Sequence, residues 1–531
     1  MTTTAPGPSA AAETTGGVDE VGRIETRGIE TIPEEERHSR PINVSKMITG
    51  SAMGYSAIVL GWLPVAFGLS WWSSFTAIIV GALLGSIVLS PMGIFGPRTG
   101  TNIPVTSGAH FGVVGRIGGS LVGVLCGVGF TALSVWTGGQ AIVESAHRLF
   151  GLPNSNLMLG IAYGVVLCIC LIVCVWGHAN LLALEKIGVW TGAGLVILGI
   201  IAFASHFHAG FHGTGKYLLS SYVATWIVSM IAIFANPISY APFIGDWARY
   251  ISHKKYSDRT MVWATFGGSM VGLAIAPLFG AFMAVCFANP GGDFISGIVA
   301  TSPGWYVVVV LLLGGYGALA NTATGMYGPG LDTSSLIPRL KRVPATIILG
   351  FFAIACVYIG SFVVNALSSI SAFLTVLTVV TVPWMLIMVI GHWWRRGHYE
   401  LDDLQVFNRG MRGGRYWFAG GLNWRAAGAW FAAAALGLLF SNVPPLWVAP
   451  LANVAGGVDL SLVSAGVLGA VFYIAALLAF PEPAYVYGPK GPRFGRVRQA
   501  EPPPVRLIHP VAAAPSMPQA TEVPPVEVEL A

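Results

Sequence analysis

Long apolar runs, each ended by a short polar stretch, repeat along most of this chain. They fall near residues 47–68, 72–95, 117–142, 157–177, 187–205, 221–245, 260–286, 303–323, 345–364, 371–391, 424–441 and 461–480. A helix that crosses a bilayer needs about 20 mostly apolar residues. The pattern therefore predicts an all-α polytopic membrane protein of about twelve transmembrane helices. Residues 1–45 are rich in Thr, Ala and Glu and predict a disordered tail, although Ile32 to Arg37 could order against the membrane domain. Residues 481–531 carry many prolines and no long apolar run, which predicts a second flexible tail. The transporter-like domain is expected over 46–480. No signal-peptide pattern precedes the first run, so that run is expected to act as the insertion signal.

Two runs carry interruptions. The first holds Gly50, Gly54, Gly61 and Pro64 around Ala52-Met53-Gly54-Tyr55-Ser56. The sixth holds Asn236-Pro237 and then Pro242 and Gly245. Proline removes a backbone donor and crowds the preceding turn. In hydrocarbon the freed carbonyls need protein or a wet cavity to satisfy them. Runs one and six open two successive sets of five. Broken helices at matching places in two halves point to a midplane binding site of an inverted-repeat transporter. A kink tolerated by packing alone is the plainer reading for either helix taken singly.

Composition sharpens the membrane reading. Hydrophobic residues make up 54% of the chain and charged residues only 10%, against about 25% charged in soluble domains. The net charge of +5 raises the question of nucleic acid. The placement of the charges answers it. With a cytoplasmic N-terminus, 26 of the 28 Lys and Arg residues fall in the tails and inner segments, and only Arg148 and Lys216 fall outside. Positive-inside bias then puts both termini in the cytoplasm and explains the basic balance without nucleic acid. The expected location is the cell membrane, in bacterial terms the inner membrane.

Candidate binding chemistry lies inside the spans. The third contains Trp136-Thr137-Gly138-Gly139-Gln140, which puts the indole and the amide on one helical face. An indole can stack on a flat heterocycle, and a Gln amide can pair with adjacent N–H and C=O groups on its edge. The eighth contains Asn321, a second amide near mid-depth. Polar side chains at such depth are costly and tend to be functional. Gly54 and Asn236 mark the freed backbone at the two breaks.

The order and spacing of several further motifs is similar to one family. Pro33-Glu34-Glu35-Glu36-Arg37, Gly96-Pro97-Arg98-Thr99-Gly100, Trp136 with Gln140, Asp246 with Arg249-Tyr250, Asn321 with Met326-Tyr327, and Gly421-Leu422-Asn423-Trp424-Arg425 carry the resemblance. Over roughly residues 25–480 the chain resembles the nucleobase:cation symporter-1 family, in its purine–cytosine permease branch. The resemblance implies a leucine-transporter-like fold of two inverted five-helix repeats plus two extra helices. It implies alternating access and cation-driven uptake of a small heterocycle such as cytosine, a purine, uracil, allantoin or a hydantoin. It places ring stacking on Trp136 and ring-edge bonding on Gln140 and Asn321. The aromatic of the sixth span is Tyr240 or Phe234. The chain departs from the family in two places. The segment Thr106 to Phe111 lacks the Arg that often precedes Phe-Gly. Ala320 and Asn321 stand where sodium-coupled members tend to carry two hydroxyls, which favours a proton over sodium as the coupling ion.

Other classes fit less well. An enzyme would need convergent catalytic groups, and the one histidine cluster, His206, His208 and His212, has no carboxylate among it. No cofactor or metal is expected. A channel would show a filter or a charged ring. Another solute on the same fold, such as a thiamine-like compound or an amino acid, stays open.

Overall fold

The apolar runs fold into helices in the computed structural model, which describes residues 28–174, 178–336 and 342–507. In chain order these are α1 (Pro41–Ala52), α2 (Tyr55–Ala66), α3 (Trp71–Leu89), α4 (Phe95–Thr99), α5 (Ile103–Phe111), α6 (Ile117–Phe150) and α7 (Asn156–Cys174). They continue with α8 (His178–Phe203), α9 (Tyr222–Ile238), α10 (Ile244–Ala248), α11 (Asp258–Ala284), α12 (Phe294–Thr301) and α13 (Gly304–Leu336). The last are α14 (Arg342–Tyr358), α15 (Ala366–Trp394), α16 (Trp424–Leu438) and α17 (Ser461–Ala479). Among the described residues nine helices are long and apolar enough to cross a bilayer, and the bent pair α1–α2 makes a tenth span. Two shorter helices, α9 of 17 residues and α16 of 15, bring the count to the expected twelve. Spans one to twelve are thus α1–α2, α3, α6, α7, α8, α9–α10, α11, α13, α14, α15, α16 and α17.

Burial separates the spans into core and periphery. The most apolar stretch of α6 is 72% buried within the protein, and those of α7 and α14 only 28%. The exposed side chains of the outer helices, among them Ile161, Ile172, Phe351 and Phe352, are large and apolar. A face of that kind is at home only in lipid.

Glycine decides which core helices meet. A Cβ at Gly272 of α11 would lie 2.8 Å from Thr49 Cα of α1, and one at Gly85 of α3 would lie 2.8 Å from the Phe234 carbonyl of α9. Span one therefore packs on span seven, and span six packs on span two. These two pairings are equivalent when spans one to five are set against six to ten. Spans three and eight, matched to each other in that scheme, run along one another. A Cβ at Gly138 of α6 would come 2.7 Å from the Gly314 carbonyl of α13. Without a hydrophobic drive between helices in lipid, such close backbone approach is what holds them.

The segments flanking the spans are partly built into the fold. The Arg37 guanidinium is buried and donates to the Ile32 carbonyl at 2.9 Å and the Pro97 carbonyl at 3.0 Å. This fastens residues 28–45 against the loop before α5. After α17, Glu482 is buried and accepts from Arg395 at 2.7 and 3.1 Å and from Asn423 at 3.0 Å. A two-residue strand at Arg506–Leu507 pairs with Met411–Arg412. The expected C-terminal tail thus includes a packed portion as far as residue 507, because a buried Arg needs its carboxylate partner. The rest of both expected tails lies outside the described residues.

Candidate functional site

Both helix breaks exist, and they differ in kind. Span one bends by 77° between Ala52 and Tyr55. Gly54 at the bend is extended, with φ −93° and ψ 162°. A Cβ there would lie 2.9 Å from the Gly317 carbonyl of span eight, so a larger residue is excluded by space. Span six breaks later than its sequence suggests. Asn236 and Pro237 lie inside α9, and the interruption covers 239–243. There the amides of Tyr240, Ala241 and Phe243 bond three residues back, to Pro237, Ile238 and Tyr240. The tightening of the last turn absorbs the proline, and the chain leaves the helix only as it nears Pro242.

A small pocket sits between the span-six break and spans three and eight. Its walls are Phe130 of α6, Ser239, Tyr240, Phe243 and Trp247 of span six, and Asn321 and Gly325 of α13. Its free volume of about 10 Å3 is room for at most one water. Tyr240 and Trp247 meet edge to face, with ring centroids 5.8 Å apart. The Tyr240 hydroxyl lies 3.1 Å from that of Ser51 on span one. The Asn321 amide donates to the Ser56 hydroxyl at 2.6 Å, also on span one. Spans six and eight are thus each tied to span one, one on either side of its bend. Nearby polar groups have no partner: both amide atoms of Asn236, the Thr322 hydroxyl and the Tyr55 hydroxyl are buried and unbonded. Each such group costs about 1–3 kcal/mol when left alone, and a polar ligand is one way to recover that cost.

A second cavity lies on the other side of span three. It measures about 280 Å3 and is lined by Trp136, Leu133 and Gly129 of α6, by Cys356, Val357 and Ile359 to Ser361 of span nine, and by Ser369, Ile370 and Phe373 of α15. Its lining is almost wholly apolar. Phe130 of the small pocket and Phe373 of the large one stand edge to face at 5.5 Å. These two rings are the partition between the cavities. Residues six apart on a helix point about 120° from each other, which is why Phe130 and Trp136 face different spaces.

The residues singled out from the sequence are therefore dispersed. Tyr240 and Asn321 share the small pocket, and Asn236 lies three residues before Ser239 of its wall. Gly54 lies at the bend of span one. Phe234 is buried and is not among the pocket residues, so Tyr240 is the aromatic of span six that faces the pocket. Trp136 lines the other cavity. Gln140 is committed elsewhere: its amide donates to Asp293 at 2.7 Å. Asp293 caps α12, a short helix between spans seven and eight, and Ser296 of α12 donates to Glu144 at 2.8 Å. Burial pushes the Asp293 carboxyl above the usual carboxylate range, partly offset by bonds from Ser296 and Gln140. Glu144, near the end of span three, thus helps fasten α12 over that span. Asp246 of span six is buried against Gly328 of span eight. Phe130, Phe243 and Trp247 were not legible as site residues. Apolar aromatics in apolar runs give no signal until the packing shows which face they present.

The comparisons with known proteins agree with this architecture. A family model described as permease for cytosine/purines, uracil, thiamine, allantoin matches residues 31–469. A Bacillus subtilis (strain 168) protein named "Putative purine-cytosine permease YxlA" is 25% identical over 465 residues, covering 85% of this chain and 96% of that one. Purine-cytosine permease FCY22 of Saccharomyces cerevisiae is 25% identical over 381 residues, covering 66% of this chain and 69% of its own length. Among solved structures, that of Mhp1, a nucleobase-cation-symport-1 family transporter, in a closed conformation with bromovinylhydantoin bound, superposes with a TM-score of 0.65. It is 17% identical and covers 85% of this chain and 94% of its own, a likeness of fold.

Proposed function

From the premise that this chain belongs to the nucleobase:cation symporter-1 family of permeases, a multi-pass transporter of leucine-transporter-like fold and not an enzyme, we propose that it imports a cytosine- or purine-like heterocycle together with a proton. Both termini face the cytoplasm in this reading, as the distribution of Lys and Arg favours.

The observation that carries the reading is the pair of cavities meeting at Phe130 and Phe373. The substrate ring takes the place now closed by these two phenyl groups. On one side it finds Asn321 and Tyr240, which are polar; on the other it finds the indole of Trp136. A flat ring with donors and acceptors on its edge suits that split. The ring face stacks on Trp136, worth roughly 1–3 kcal/mol per base. Its edge is read by Asn321 and by the unbonded amide of Asn236. Gln140 joins them through its unbonded carbonyl oxygen, which its contact with Asp293 leaves free. Closure of α12 over span three through Gln140 and Ser296 then seals the outer end. Bending at Gly54 and at residues 239–243 lets one helix bundle rock against the other.

The proton is favoured by the residues at span eight. Sodium asks for several hard oxygen ligands. Ala320 supplies no side-chain oxygen, and the Asn321 amide is already turned to Ser56. Uptake of labelled cytosine, hypoxanthine, uracil and allantoin by a host lacking its own carriers tests the whole reading. Cytosine or a purine is expected to be concentrated, and a protonophore is expected to abolish the accumulation. Preference for allantoin, a thiamine-like compound or an amino acid would move the substrate class while leaving the fold untouched.

A further inference from the structure

Span five carries a carboxylate where its surroundings offer it nothing. Glu185 lies on α8 and is fully buried, with 0% exposure. Among the described residues neither carboxyl oxygen has a hydrogen-bond partner. Its neighbour Lys186 is exposed and points away. An unpaired charge sealed in a protein interior is costly, and a group in that position neutralises instead.

The seal over Glu185 is span one. Gly50, just before the bend, packs so closely on α8 that a Cβ there would lie 2.6 Å from the Glu185 carboxylate. Gly188 is in contact in return, less tightly: a Cβ on it would lie 3.3 Å from the Gly50 carbonyl and 3.4 Å from the same carboxylate. Two glycines, one on each helix, thus let the inner half of span one lie flat across the acid. Among the described residues, the groups that could titrate with Glu185 are few. From Met47 to Met53 span one offers no ionisable side chain. Span eight presents Tyr316, whose hydroxyl donates to the Leu184 carbonyl at 2.8 Å. Span six presents Tyr240, which also lines the polar pocket. Neither partner is a cation.

We propose that Glu185 is the side chain that carries the coupling proton, exposed or sealed by the movement of span one at its bend. With span one seated, as here, the carboxyl holds its proton. When the inner half of span one swings from α8, Glu185 meets cytoplasmic water and gives the proton up as a carboxylate. Once the seal has reformed and the carrier is open outward, it takes one back from the outer side. Tyr240 links this cycle to the substrate, since its ring faces the pocket while its hydroxyl bonds Ser51 beside Gly50. Protonation and substrate binding then favour the same seated state of span one, which is the differential affinity that symport requires.

The assignment rests on the proton-symport reading, and the test separates the two. Purified full-length protein in liposomes is given labelled cytosine or hypoxanthine, whichever the uptake panel shows to be carried, under an imposed pH gradient or sodium gradient. With one proton per substrate, a gradient of about one pH unit supports roughly tenfold accumulation. The unaltered protein is expected to reach that level on the pH gradient. Glu185→Gln is expected to fall to about onefold while still exchanging substrate across the membrane. Glu185→Asp, which restores the acid, is expected to recover part of the accumulation. If Glu185→Gln concentrates substrate as well as the unaltered protein does, the assignment is wrong and proton symport stands. If Glu185→Gln also loses exchange while present in the liposomes, the residue is structural and the assignment is again wrong. Accumulation by the unaltered protein on sodium alone would overturn both.

Discussion

The two cavities beside span three differ in size by more than an order of magnitude, about 280 Å3 against about 10 Å3. Their chemistry runs the other way. The large one is lined by Leu133, Ile370, Phe373 and their like, with Trp136 its one aromatic nitrogen heterocycle. The small one gathers Asn321, Ser239 and three aromatics of span six, and both of its polar anchors reach span one. On the function proposed above, volume marks where a ring has room, and polarity marks where a ring is recognised. Phe130 on the wall of the small cavity and Phe373 on the wall of the large one stand edge to face, 5.5 Å between ring centres.

Substitutions can break or sharpen this contrast. Asn321→Ala is expected to have the largest effect, because it removes the ring-edge contact and orphans Ser56 together. A site built to bond a polar edge loses roughly a hundredfold or more in discrimination when that bond is deleted, so uptake at low substrate should vanish. Trp136→Ala should come next. Loss of stacking worth about 1–3 kcal/mol weakens binding roughly 5- to 150-fold, readable as a raised half-saturation concentration with normal membrane levels. Ile370→Ala should be smallest, below about twofold, since it widens a space already open and removes no directed contact. Equal losses for Trp136→Ala and Ile370→Ala would mean that the large cavity acts through packing alone. A large loss for Ile370→Ala with none for Asn321→Ala would invert the comparison and move the recognition site into the apolar space.

Much of the fold was legible in the sequence. Helix positions follow from runs of about 20 apolar residues, and the break of span one follows from Gly54 among the clustered glycines. The break of span six was placed too early, at Asn236-Pro237. A proline in the last turn of a helix forfeits one hydrogen bond, and the three-residue bonds after it keep the chain turning until residue 239. The apolar run near 187–205 starts span five nine residues too late. Its helix extends back to His178, which puts Glu185 inside the span although it reads as part of a charged inner loop beside Lys186. The pair Trp136 and Gln140 was read as one unit because they share a helical face. The structure divides them, since Gln140 lies one turn nearer the outer end, where Asp293 claims its amide.

What the sequence determined by itself is the part that each segment decides alone: the helical runs, the weak point at Gly54, the excess of Lys and Arg on one side, and the family. These follow from local hydropathy and from backbone groups that are present or missing. Only the tertiary structure decided that Tyr240 and not Phe234 faces the pocket, that Phe130 stands between two cavities, and that Gly50 and Gly188 shut a lone carboxylate away from water. Those outcomes depend on which faces of distant helices come within a few ångströms of each other. Close packing sets that jointly for many segments at once, so no single stretch of sequence carries it.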